Sequence, residues 1–348
     1  MRALSLLLCS LLVGCGGDDF SAANAPDGSS AGTAGAAGGG GTSGSGGASS
    51  GGGSGVAGSD AGASCADALG APFPDSPTAY CTDSSSAVSC DGRSDRQDGV
   101  VRLNVPQYTS MSIDTLTDSV TSLVWQKTAK TTFWGNAEAT CSSLGAGFHV
   151  PSLLEVLSIA DYGRASPLLD GAFQFAPGGN ATGTITTSTV GGAGHFALDF
   201  ATGSYMTVND GAAFHLRCVK GSIDGGLQPV TACTDLVRDT RTRLVWLRKS
   251  DGLKRPWIDA LNHCASLNLY GKTDWRLPSV KELASLLDRS RVEGIDKSLF
   301  DTDEKAFHWT STPLRDGLAD AWTVRFGAYT PLLRSKGEEN PALCVRGG

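Results

Sequence analysis

The chain has 348 residues, ten cysteines, 46 glycines and a net charge of −7, a length that allows about two domains. The acidity excludes a whole-chain nucleic-acid binder, which needs a basic footprint, so no nucleic-acid partner is expected. The acidic excess lies ahead of residue 235; residues 235–348 carry slightly more Lys and Arg than Asp and Glu.

The first segment is an address. Arg2 precedes an apolar run from Ala3 to Val13. That run is shorter than the ~20 residues needed to span a bilayer and fits the core of a signal peptide, residues 1–14. Leu12-Val13-Gly14-Cys15 resembles the bacterial lipobox. The resemblance implies cleavage before Cys15, acylation of Cys15 and a membrane partner reached through the acyl chains, each buried methylene contributing about 0.8 kcal/mol. Gly16-Gly17 lacks the aspartate that signals inner-membrane retention in such lipoproteins, so the outer membrane or cell surface is the expected location. Residues 15–64 are then almost wholly Gly, Ser, Ala, Thr and Asp. Such a composition cannot bury enough apolar surface to offset its ordering entropy, and it reads as a disordered tether. A coil of about 49 residues of this kind spans roughly 35–42 Å. Gly47-Ala48-Ser49-Ser50-Gly51 fits the hydrolase pattern G-x-S-x-G, but it has no strand before it and no helix after it.

Residues 65–111 form a prelude with Cys65, Cys81 and Cys90, turns at Asp91-Gly92 and Asp98-Gly99, and little expected regular structure. Two copies of one degenerate pattern follow, in residues 112–221 and 222–348. The first runs Leu123-Val124-Trp125, Trp134, Cys141, Phe148-His149-Val150-Pro151-Ser152, Glu155, Thr187-Ser188-Thr189 and Arg217-Cys218-Val219. The second runs Leu244-Val245-Trp246, Trp257, Cys264, Trp275-Arg276-Leu277-Pro278-Ser279, Glu282, Thr310-Ser311-Thr312 and Leu343-Cys344-Val345. A repeat this long is a domain duplication rather than a solenoid. In the first copy the pattern predicts a hairpin through Leu116–Trp125, a helix over Trp134–Leu144, and a second helix with Pro151 in its first turn. It also predicts a strand at Phe196–Phe200 and a closing strand at Leu216–Val219. In the second copy the helices are Pro256–Leu267 and Pro278–Asp288, and the strands are Trp322–Phe326 and Leu343–Val345.

Removing Cys9 with the signal peptide and Cys15 as the acylated residue leaves eight cysteines. In each copy one lies on the first helix and one on the closing strand. The repeat predicts bridges Cys141–Cys218 and Cys264–Cys344, since one geometry explains both. Cys81–Cys90 is a local bridge, and Cys65–Cys233 would use the remaining pair. Without C-x-x-C and with five scattered histidines, no metal site is expected, and no cofactor.

At Trp275-Arg276-Leu277-Pro278-Ser279-Val280-Lys281-Glu282-Leu283, with Leu244-Val245-Trp246 before it and Trp309-Thr310-Ser311-Thr312 after it, the chain resembles the DUF1566 or Lcl C-terminal domain family, named after the Legionella collagen-like adhesin. Cys81-Thr82-Asp83, Cys90 and Gln97-Asp98-Gly99 look like the segment that often precedes this domain. The first copy departs from the pattern at Phe148-His149-Val150. The resemblance implies an α+β fold of two tandem C-type-lectin-like domains, each with two helices, a small antiparallel sheet and a bridge from helix to last strand. Formylglycine-generating enzymes and related sulfoxide synthases share that fold and a similar R-L-P-x-x-x-E string.

Trp275, Arg276, Pro278 and Glu282 read as a structural motif, with Arg276 and Glu282 as an ion pair pinning the second helix. The alternative is a ligand or catalytic pair. Trp125, Trp134, Trp246, Trp257 and Trp322 read as core. Trp309 is either core or a sugar-stacking platform. Arg325, Arg334, Lys336 and Arg346, near Tyr329, are either a solvated face or a site for sulfated or carboxylated glycan. The expected ligand set is therefore Trp309, Arg325, Tyr329, Arg334 and Lys336. Calcium-type sugar motifs and metalloprotease or phosphate-loop signatures are absent from the sequence. The expected function is a non-enzymatic surface lipoprotein for adhesion or extracellular binding of an anionic polysaccharide or a surface protein. The alternatives are an oxidase or synthase on the same fold and a structural envelope protein.

Overall fold

The computed structural model describes residues 72–83, 86–175, 183–192 and 194–347, all within one compact unit. The expected signal peptide, Cys15, the Gly/Ser segment and Cys65 lie outside the described residues. Among the described residues no helix is long and apolar enough to cross a membrane. The unit is strand-rich with short helices, a coarse α+β composition.

The prelude holds more order than its sequence implies. Strands β1 (Cys81–Thr82) and β2 (Ala87–Val88) form a ladder closed by the Cys81–Cys90 disulfide. The segment also straps the two copies together. The Thr78 hydroxyl donates to Asp161 of the first copy at 2.7 Å, while Arg96 donates to the Trp275 carbonyl of the second at 2.8 Å.

Each copy then starts with a hairpin turned by an aspartate. In the first, β3 (Tyr108–Ser112), β4 (Thr115–Asp118) and β5 (Val124–Gln126) run antiparallel. Buried Asp118 accepts the Val120 N–H and the Thr121 hydroxyl, which holds the turn while Ser122 takes a left-handed conformation. After β6 (Thr128–Phe133) the expected helix opens as a 3-10 turn at Trp134–Asn136, and only Ala137–Ser142 is α1. Then come β7 (Phe148–His149), α2 (Leu153–Ser158), β8 (Gln174–Phe175), β9 (Thr184–Gly191), β10 (Gly194–Asp199), β11 (Tyr205–Asn209), β12 (Ala213–Leu216) and β13 (Val219–Lys220). The expected closing strand is broken at Arg217-Cys218. There the Arg217 guanidinium turns inward to donate to the Gln126, Lys127 and Gln174 carbonyls.

The second copy repeats the order. Strands β14 (Leu227–Pro229), β15 (Leu236–Asp239) and β16 (Leu244–Leu247) form its hairpin, with Asp239 and left-handed Arg243 in the places of Asp118 and Ser122. They are followed by β17 (Lys254–Arg255), α3 (Trp257–Ala265), α4 (Val280–Ala284), β18 (His308–Pro313), β19 (Asp320–Arg325), β20 (Thr330–Ser335), β21 (Asn340–Pro341) and β22 (Val345–Gly347). In each copy the last strand lies beside the hairpin, in the orders β3-β4-β5-β13-β7 and β14-β15-β16-β22. The larger sheet of the first copy, β11-β10-β9-β12-β6-β8, is split in the second into β18-β19-β20 and β17-β21.

The copies share one core. Trp125, Val156 and Phe200 of the first belong to the same buried cluster as Trp246, Leu283 and Phe326 of the second. Each copy keeps a smaller cluster of its own around its disulfide, Cys141–Cys218 or Cys264–Cys344. Cys141 and Cys264 sit on α1 and α3; Cys218 and Cys344 stand one residue ahead of the final strands. Cys233 is also disulfide-bonded, and Cys65, its expected partner, is outside the described residues.

Candidate functional site

The repeated motifs build a lock around each second helix. Ser152 and Ser279 are N-caps, and each closes a full capping box with the glutamate three residues on, Glu155 or Glu282. Pro151 and Pro278 therefore stand outside the helices, before the caps, rather than in the first turn. Their carbonyls accept the Ser188 and Ser311 N–H groups at 2.8 and 2.7 Å. The flanking threonines complete the lock. Thr187 and Thr310 donate to the Phe196 and Trp322 carbonyls, while Thr189 and Thr312 accept the Leu153 and Val280 N–H groups. Arg276 makes a bidentate pair with Glu282, 2.7 Å on both arms, and also donates to the Gly347 carbonyl. In the first copy His149 takes its place, with Nε2 3.4 Å from Glu155. Trp275, beside this lock, is fully buried.

Of the expected ligand residues, the structure unites two. Arg325 and Arg334 lie on the same face of the β19–β20 ladder, and their guanidinium carbons sit 5.3 and 3.6 Å from the Phe307 ring centre. Both are half-buried, and neither Nε has a hydrogen-bond partner. The Glu338 carboxylate is 3.9 Å from Arg334. Trp309 is not a platform: it is 0% exposed, and its indole N–H donates to the Arg255 carbonyl, so neither ring face is open to a sugar. Lys336 is engaged with the Thr82 hydroxyl and the Leu318 carbonyl and lies over Trp257; burial lowers its amine to about 8. Tyr329 donates to the Arg291 and Val292 carbonyls. Arg346 is buried against Asp274. Trp134, expected in the core, is half-buried and stacked on His195.

A large cavity lies elsewhere, between the copies. It has a volume of about 850 Å³, with Thr189 and Val190 on one wall and Leu227, Leu287, Arg289 and Leu299 on the other. A smaller chamber of about 160 Å³ adjoins it and shares Thr189, Arg241, Leu287 and Arg289. Arg241 is neutralised by a bidentate pair with Asp239. Arg289 is not; it donates to the Tyr329 carbonyl and stacks on Phe196 and Tyr205 of the first copy at 4.0 and 4.6 Å. Burial lowers its guanidinium to about 10, still charged at neutral pH.

The family model for the Lcl C-terminal domain matches residues 114–220 and again residues 235–346. The chain belongs to the Lcl C-terminal domain family. A search of curated proteins gives no match. The two Lcl C-terminal domains meet at a buried charged cluster that no sequence pattern announces. Lys281 of the second reaches the Ser158 carbonyl of the first at 2.9 Å and the Asp75 carbonyl of the prelude at 3.1 Å. Burial lowers its amine to about 8. Nearby Asp98 accepts the Thr312 hydroxyl, and burial together with Asp75 pushes its carboxyl up to about 7. Arg289 was equally invisible in sequence. It follows α4 with no motif around it, and its aromatic partners come from the other Lcl C-terminal domain.

Proposed function

We propose that the protein is a non-enzymatic extracellular binding module of the bacterial envelope. It is held at the outer membrane by acyl chains on Cys15, carries two C-type-lectin-like domains and binds anionic polysaccharide through the second. Family membership supports an adhesin-like module. The lectin-like reading is supported by the final strand of each copy lying beside its first hairpin, with a disulfide immediately ahead of that strand. The observation that carries the ligand is the pair of guanidiniums on Phe307. A ring that holds two arginine forks reduces the entropy lost when they grip a sulfate or carboxylate.

The test is a glycan array of sulfated, uronic-acid and neutral glycans at low and high salt. Binding is expected only to the charged glycans, to weaken with salt, and to be lost when Arg325 and Arg334 are both changed to Ala. Salt-insensitive binding, or unchanged binding by the double variant, sinks the reading.

A further inference from the structure

The two copies of Thr-Ser-Thr provide an internal comparison. In the second copy the Thr312 hydroxyl accepts the Val280 N–H at 3.0 Å and passes its own hydrogen to the Asp98 carboxylate at 2.8 Å. In the first, the Thr189 hydroxyl accepts the Leu153 N–H at 3.1 Å in the same manner. Thr189, however, lines the small inner chamber instead of meeting a carboxylate. Tyr205 and Arg289 line the same chamber, and the Tyr205 Oη and Arg289 Nε are both buried without a hydrogen-bond partner. Buried donors in folded proteins are nearly always satisfied, so two orphans beside one chamber call for an acceptor. The guanidinium also has no carboxylate partner among the described residues. A desolvated cation of this kind favours an anion. Outside the chamber, the wider cleft falls within the size range of small-molecule sites. Leucines 227, 287 and 299 line it, and the two carboxylates that also line it, Asp288 and Asp296, are both paired with Arg291.

We propose that this cleft binds an organic acid with an apolar body. The carboxylate is held in the inner chamber by Thr189, Tyr205 and Arg289, as the side chain of Asp98 is held by Thr312, and the body lies along the leucines. The site is separate from the Arg325–Arg334 pair and does not depend on the polysaccharide reading.

Octanoate and its neutral counterpart octanol are the probes, titrated into the full chain by calorimetry. Octanoate is expected to bind saturably at one site, and octanol about tenfold or more weakly, because it lacks the charge-assisted bonds. Arg289→Gln should lower octanoate affinity by about tenfold or more. Since that residue is largely buried, Val190→Trp serves as a second variant. Val190 is 66% exposed at the rim of the cleft, and a tryptophan there should block octanoate without removing any buried contact. Changing Arg325 and Arg334 to Ala should leave octanoate binding intact. Equal affinity for octanoate and octanol, no saturable binding, or octanoate binding untouched by Val190→Trp each overturns the proposal.

Discussion

The pair Arg276–Glu282 and its counterpart His149–Glu155 show how one position can carry unequal weight. Arg276 and Glu282 are both buried and joined by two short bonds, whereas the His149 side chain is 39% exposed and 3.4 Å from its carboxylate. Removing one partner of a buried pair strands the other, so Arg276→Ala should destabilise the protein by about 3–5 kcal/mol. His149→Ala should cost less than about 1 kcal/mol; urea midpoints of the two variants compare them directly. Asp98 gives a pH prediction. Its folded carboxyl titrates near 7, against an ordinary value of 3.8. The folded chain keeps a proton that the unfolded chain releases, so this contribution is complete below about pH 4 and is lost as pH rises towards 7. Asp98→Asn should flatten the decline in urea midpoint across that window; an unchanged slope would assign it to other groups. At this scale the sequence was partly legible. Trp125, Trp246 and Trp257 are core as their repeated positions imply, and Arg276 meets Glu282. Trp309 could not be resolved by sequence, because a tryptophan on a strand looks alike whether its partner is a sugar or the backbone of Arg255. Lys281 and Arg289 were missed because Lys281 meets carbonyls of the prelude and the first copy, and Arg289 stacks on rings of the first copy.

At the scale of elements, the capping boxes and disulfides divide the work of holding short helices in place. Ser152→Ala and Ser279→Ala should each cost about 1 kcal/mol, the usual value of an N-cap. The bridges Cys141–Cys218 and Cys264–Cys344 close separations of 77 and 80 residues. Converting either pair to serines should cost about 4 kcal/mol on the chain-entropy model, seen as a lower denaturation midpoint. The duplication and both pairings were readable because the same residues recur with small changes in spacing. The helix ends were not. The apolar pattern continues past Ala284 and Ser158, but the Ser158 and Ser285 hydroxyls donate to the Glu155 and Glu282 carbonyls. Such local bonds compete with the helix and end α2 and α4 within two turns.

For the whole molecule, the shared core makes the copies interdependent. Phe326, Leu283 and Trp246 lose apolar neighbours when the first copy is removed, and Lys281 loses the Ser158 carbonyl. Residues 222–348 expressed alone should bind a hydrophobic dye and unfold without a sharp transition, while the full chain unfolds in a single step. A cooperative isolated copy of equal stability would show that the joint core contributes little. Sequence patterns place residues within a copy, but they carry no statement of how two copies face each other. For that reason the cleft, which needs both, could be found only in three dimensions.

The Cys264–Cys344 bridge has a mechanical consequence. Arg289, Arg325 and Arg334 all lie inside the loop it closes. In the proposed role, load enters at these arginines and leaves through the N-terminal anchor. Without the bridge the path from Arg325 back to Cys264 is 61 residues, a slack of roughly 210 Å at about 3.4 Å each; through Cys344 and the sulfurs it is 19 residues, roughly 65 Å. The bridge withholds the difference, because tension crosses from Cys344 to Cys264 through sulfur.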